Sequence, residues 1–160
     1  MKKILSAIFL SILLLSIVSC KKNNPTATSY AHFKINTITL TSFPAKDGTG
    51  SDWDFGLGSL YLYPDLYTTI DSVSTNIYNG SVYNISEVNP TNGLPVSWNS
   101  TVDINSLSAS YYINLYDSDI DSPDLIGQIP FVLYDHKNGY PTAFSITNGT
   151  TSITLSGTWY

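Results

Sequence analysis

Residues 33–43, Phe33-Lys34-Ile35-Asn36-Thr37-Ile38-Thr39-Leu40-Thr41-Ser42-Phe43, put apolar side chains on alternate beats, first Phe33 and Ile35, then Ile38 and Leu40. A period of two marks a half-buried strand, because successive side chains point to opposite faces of a sheet. Ser110-Tyr111-Tyr112-Ile113-Asn114-Leu115-Tyr116 alternates in the same way. Working outward, the pattern predicts further strands over residues 66–70, 75–82, 96–98, 125–133, 142–146 and 152–159. Pro64 is expected at the entrance of the second strand, since proline donates no ladder hydrogen bond. Lys137-Asn138-Gly139 and Asn148-Gly149 are turn signals. About eight short strands, without helical periodicity over three or more turns, predict an all-β chain folded as an eight-stranded antiparallel Greek-key β-sandwich.

The amino terminus has a different character. Met1-Lys2-Lys3 precedes an apolar run from Ile4 to Val18 that ends at Ser19-Cys20, the charge, core and small-residue order of a secretory signal. Crossing a hydrocarbon core of about 30 Å takes roughly 20 helical residues, so this run is short for a lasting span and suits cleavage. Ile17-Val18-Ser19-Cys20 resembles the lipobox of bacterial lipoproteins, in which the cysteine is acylated, with palmitate among the acyl chains, and the preceding bond is cut. Cys20 is the single cysteine, so no intramolecular disulfide competes for its thiol. The expected organisation is a signal peptide over residues 1–19, a lipidated Cys20 with a polar tether over 20–32, and one domain over 33–160. The lysine-bearing stretch Lys21-Lys22-Asn23-Asn24-Pro25 also resembles lipoproteins of the Bacteroidota, which implies an outer-membrane location on the periplasmic or cell-surface side.

Composition narrows the function classes. From Tyr30 onward there are three lysines (Lys34, Lys46, Lys137), no arginine, and twelve acids, all aspartate except Glu87. Three lysines cannot assemble the basic patch that phosphate neutralisation demands, so nucleic acid is not an expected partner. Tyrosine, threonine, serine and asparagine dominate the rest, a mixture suited to strands and turns. The aspartates are not scattered. Asp47, Asp52, Asp54 and Asp65 fall in one stretch, and Asp117, Asp119, Asp121 and Asp124 in another.

In extended backbone, residues i and i+2 point the same way about 6.6 Å apart, so Asp117 and Asp119 offer carboxylates to a common point. Two bare carboxylates about 4 Å apart repel by roughly 4 kcal/mol at an effective dielectric of about 20. A divalent cation relieves that repulsion, and hard oxygen ligands on flexible loops select calcium. An EF-hand loop starting at Asp117 would need Gly and Glu where Ser122 and Gln128 stand. Tyr116-Asp117-Ser118-Asp119 through Asp124-Leu125-Ile126-Gly127 instead resembles the third calcium loop of C2 domains. Pro64-Asp65-Leu66-Tyr67 resembles the Asp-Pro-Tyr segment closing their first calcium loop, and Leu94-Pro95-Val96-Ser97-Trp98-Asn99 their Asn-Pro-x-Trp-Asn turn. The resemblance implies Asp65, Asp117, Asp119 and Asp124 as calcium ligands, with Asp54 as first-loop partner. Asp54 stands eleven residues before Asp65, further than the family's usual spacing, so Asp52 and Asp47 are its substitutes. Because the third loop is one residue shorter than the common form, the resemblance implies Asp121 as a substitute for one of its ligands.

The expected function is that of a lipid-anchored, non-enzymatic binding module. Its membrane contact is the anchor, and its calcium loops would dock a phospholipid surface or a partner protein. The sequence offers no Gly-x-Ser-x-Gly elbow, phosphate loop or cysteine nucleophile, and His32 and His136 have no metal-ligand spacing. The rival expectations are a calcium-independent carbohydrate-binding module, with Tyr61, Tyr63, Tyr78, Tyr83, Tyr111, Tyr112 and Tyr140 as stacking surfaces, and a purely structural surface lipoprotein.

Overall fold

The computed structural model describes residues 29–51, 53, 60–70, 72–80, 86–88, 93–118 and 122–160. The signal segment, Cys20 and the tether up to residue 28 lie outside the described residues. Among the described residues, ten strands form two antiparallel sheets packed together: β1 (Phe33–Ser42), β2 (Leu60–Ile70), β3 (Val73–Asn79), β4 (Ser86–Val88), β5 (Val96–Asn99), β6 (Asp103–Ile104), β7 (Ser110–Asp117), β8 (Asp124–Phe131), β9 (Ala143–Asn148) and β10 (Thr151–Trp159). The first sheet runs β5-β1-β10-β9, with β6 sharing the β5 edge of β1. The second runs β3-β2-β7-β8, with β4 sharing the β3 edge of β2. Two pairs of short strands thus share an edge, and the ten segments fill eight positions, four in each sheet. The chain is an all-β sandwich.

The irregular beat of β1 has a structural cause. Ile35 pairs with Gly157 and Thr37 with Ser156, so a bulge at Asn36 inserts one residue and resets the phase. Phe33 and Ile35 before it, and Ile38 and Leu40 after it, all reach full burial on the same face. Opposite this bulge, a Cβ on Gly157 would collide with the Lys34 carbonyl oxygen and the Phe33 ring. From the second sheet, Leu62, Leu66, Ile113, Leu115 and Ile129 meet this set in one core with Trp98, Ile153 and Leu155. Each such side chain contributes about 1.5–3 kcal/mol when taken fully out of water.

Two elements differ from the sequence expectation. β2 begins at Leu60 rather than at residue 66, and Pro64 lies in its interior. β4 pairs with Leu60–Leu62 and β3 with residues 65–70, so position 64 falls in the gap between its two edge partners. The Pro64 carbonyl oxygen lies against Gly80 on that edge, so the missing N–H faces a place where no ladder bond is required. The strand expected over 75–82 occupies Val73–Asn79. Gly139 (φ 73°) and Gly149 (φ 60°) take left-handed backbone at the two turn signals, where glycine carries no Cβ penalty. Among the described residues no helix is long and apolar enough to cross a membrane.

Candidate functional site

The outer face of the second sheet follows directly from the alternation of β2 and β7. Leu60, Leu62, Leu66 and Thr68 turn to the core, which sends Tyr61, Tyr63, Asp65, Tyr67 and Thr69 outward. On β7, Tyr111, Ile113 and Leu115 turn inward and Tyr112, Asn114 and Tyr116 outward. Register then aligns like with like. Tyr63 faces Tyr116, Asp65 faces Asn114, and Tyr67 faces Tyr112. The polar row continues to Asn79 on β3 and Gln128 on β8. A row of amides and one carboxylate therefore crosses four strands between two tyrosine pairs.

Side chains in these rows bond to one another. Gln128 Nε2 donates to Asn114 Oδ1 (3.0 Å), and Asn114 Nδ2 donates to the Tyr116 hydroxyl (2.9 Å). Asp65 accepts from the Gly80 N–H (2.9 Å), Asn76 Nδ2 (3.1 Å) and the Tyr67 hydroxyl (3.4 Å). The Tyr67 and Tyr112 rings stack 4.9 Å apart and 6° from parallel, and those of Tyr63 and Tyr116 stack 5.5 Å apart at 26°. Burial raises the Asp65 pKa from its ordinary value against the lowering effect of its three donors. Burial likewise pushes the Tyr67 hydroxyl up to about 12, so it stays a donor throughout the physiological range. The face carries hydroxyls, amides and ring edges. None of Lys34, Lys46 and Lys137 belongs to its strands.

Of the aspartates predicted as calcium ligands, Asp65 and Asp117 separate. Asp117 pairs with Leu62 and shares the inward face of β7 with Leu115, whereas Asp65 lies three positions further along β2 on the outward face. These two carboxylates do not converge, contrary to what the C2 resemblance implies for them. Asp117 is nearly fully buried, and its Oδ1 accepts the Tyr61 N–H (2.8 Å). Asp124 is exposed and directly opposite Asp117 across the β7–β8 connection. Asp47 closes its own turn, with Oδ1 accepting from Thr49 N (2.9 Å), Thr49 Oγ1 (2.8 Å) and Ser51 N (2.8 Å), and the Thr49 hydroxyl bond leads the causes that lower its pKa. Asp52, Asp54, Asp119 and Asp121 lie outside the described residues, as does Cys20. Among the described residues, no three of His, Cys, Asp and Glu are grouped to hold a metal.

The tyrosines also divide. Tyr61, Tyr63 and Tyr112 belong to the outer face, while Tyr78 and Tyr111 enter the core and spend their hydroxyls on the carbonyls of Asn99 and Ser106 (2.9 Å each). Tyr140 packs edge-on against Tyr30 and Trp159. Tyr83 lies outside the described residues. Sequence reasoning missed Tyr67, Tyr116, Asn114, Asn76 and Gln128. The available signal was the period of two itself, which puts 61, 63, 65 and 67 on one side of their strand and 112, 114 and 116 on one side of theirs. No protein-family model matches the chain, and no curated protein matches it significantly.

Proposed function

We propose that this protein is an exported, lipid-anchored, non-enzymatic binding module that holds a neutral carbohydrate on the outer face of its second sheet. The observation that carries this reading is the Asn79–Asp65–Asn114–Gln128 row set between two stacked tyrosine pairs. Sugars present hydroxyls to polar partners and C–H faces to aromatic rings. This face supplies exposed amides at the two ends of the row, Asn79 and Gln128, with the buried Asp65 and Asn114 bracing the row between them, all without a cation. Tyr61, about half exposed and outside the stacked pairs, offers a free ring at the margin. A panel of immobilised glycans, followed by affinity electrophoresis in soluble polysaccharides, tests the proposal. Retention by a neutral glycan that weakens in Tyr61→Ala supports it, and no retention on any neutral glycan removes it.

A second reading keeps calcium, as the C2 resemblance implies, but at the end of the sandwich rather than at Asp65. It is supported by the opposition of Asp117 and Asp124 at the mouth of the β7–β8 connection. The connection between β1 and β2, which carries Asp52 and Asp54, delivers the chain at Leu60 to the same end. Asp119 and Asp121 complete the set in sequence. An ion there would dock a phospholipid or protein partner, and calorimetric titration with calcium distinguishes this reading from the first.

A further inference from the structure

Among the described residues, the exposed large apolar or aromatic side chains are Tyr61, Ile70, Val73, Leu125, Tyr134 and Tyr160. Four of them gather at one end. Ile70 (59% exposed) and Val73 (64%) pair at the tip of the β2–β3 hairpin. Tyr134 (53%) lies in the 3-10 turn Leu133–His136 after β8, with its N–H bonded to the Leu107 carbonyl (2.9 Å) in the segment leading into β7. Tyr160 (50%) follows β10 and exchanges backbone bonds with His32 just before β1. A cleft of about 310 Å³ ties the two sheets at this end, with Thr68, Ile70 and Tyr111 on one side and Val102, Asp103 and Ile104 on the other. Tyr61 and Leu125 lie at the opposite end, with Asp117 and Asp124.

The chain enters the domain at the same end as those four. Ala31 N–H bonds to the Tyr160 carbonyl (3.1 Å), and Ser29, the domain's first described position, is the ninth residue after Cys20. Nine residues reach at most about 30 Å, so a lipid on Cys20 would keep this end near the bilayer. We infer that Ile70, Val73, Tyr134 and Tyr160 form a membrane-contacting rim that orients the anchored domain. Aliphatic tips enter the interface by burying apolar area, and tyrosines favour the headgroup level, where ring and hydroxyl are both satisfied. Lys137 lies over the Tyr134 ring, 3.5 Å from its centroid, Lys34, Asp103 and Asp135 share this end, and Asp71 follows Ile70 in the sequence. With both signs of charge present, the contact is apolar and aromatic and needs no anionic lipid. The strands then rise along the membrane normal, with Asp117 and Asp124 pointing away from the surface.

This inference rests on the lipid-anchor reading of Cys20, and two measurements separate them. The full chain, made in a lipoprotein-processing bacterium, is reconstituted in vesicles of phosphatidylethanolamine and phosphatidylcholine. Val73→Cys and, separately, Leu125→Cys each provide one free thiol for an environment-sensitive fluorophore, read against quenching by spin-labelled lipid. Quenching several-fold stronger at 73 than at 125 supports the orientation, and equal quenching at both sites overturns it. Incorporation of radiolabelled palmitate, abolished in Cys20→Ser, supports the anchor independently. Its absence in the unsubstituted chain overturns the anchor and the orientation together.

Discussion

Asp65 and Asp117 project from opposite faces of one sheet, three register positions apart on paired strands, and each satisfies a backbone N–H from a distant part of the chain. Asp65 thereby ties Gly80 and Asn76 to β2 and acts as a fastener of the β3 edge. Asp65→Ala is expected to cost about 1–3 kcal/mol, because the buried Gly80 N–H loses its acceptor. Urea denaturation with chelator and with saturating calcium would show the same loss in both.

The same carboxylate gives a pH signature of defined sign. Burial raises its folded pKa above the ordinary 3.8, so the native state holds the proton more tightly than the unfolded chain. Its contribution is then most favourable below the unfolded pKa and declines as pH rises through the folded one. Asp65→Asn cannot titrate. Stability differences between wild type and Asp65→Asn, measured from strongly acidic to neutral pH, should shift against the wild type as pH rises, whatever constant offset the amide introduces.

On the proposed glycan face, stability and binding should separate by position. Tyr112 stacks on Tyr67, and such pairs are worth about 0.5–1.5 kcal/mol beyond buried area, so Tyr112→Ala should weaken both folding and glycan retention. Tyr61 is half exposed. Tyr61→Ala should leave the unfolding free energy within about 0.5 kcal/mol of wild type while reducing retention in affinity electrophoresis.

At Gly157 the β1 bulge and the Phe33 ring leave no room for a Cβ. Gly157→Ala is expected to cost about 1–3 kcal/mol through overpacking, since backbone on one side and a core ring on the other both have to shift. Pairing it with Phe33→Leu would recover part of the loss if the ring is the yielding neighbour. Chemical denaturation of the two variants measures the recovery.

Most of the sandwich was legible because alternation is a local signal. Ser110–Asp117 and Thr151–Trp159 lie where the period of two puts them, and Gly139 and Gly149 turn the chain as their dipeptides require. Pro64 misled the reading of β2, because a proline is tolerated inside a strand only when the partner strand is interrupted there, and that gap is a tertiary fact. The aspartate reading had a similar limit. Spacing along the chain places Asp117 near Asp119, but the face that Asp65 occupies depends on how β2 registers against β7. The tyrosine rows obey the same rule in reverse: alternation shows which residues share a face, and register alone sets Tyr67 beside Tyr112.

Asp117 and Asp124 face each other, yet their burial differs, and this difference predicts distinct phenotypes. Asp117 is 2% exposed and holds the Tyr61 N–H, so Asp117→Ala should cost about 1–3 kcal/mol with or without calcium. Asp124 is exposed at the start of β8, and Asp124→Ala should unfold like wild type in chelator. If the loop end binds calcium, an ion at about a hundredfold excess over its dissociation constant would add about 2.7 kcal/mol to wild-type stability. Asp124→Ala would lose most of that increment, because an exposed carboxylate is free to turn toward the ion while Asp117 is committed to β2. Melting curves of the three proteins in chelator and in millimolar calcium decide the matter, and a wild-type midpoint indifferent to calcium would leave the outer sheet face as the surviving candidate.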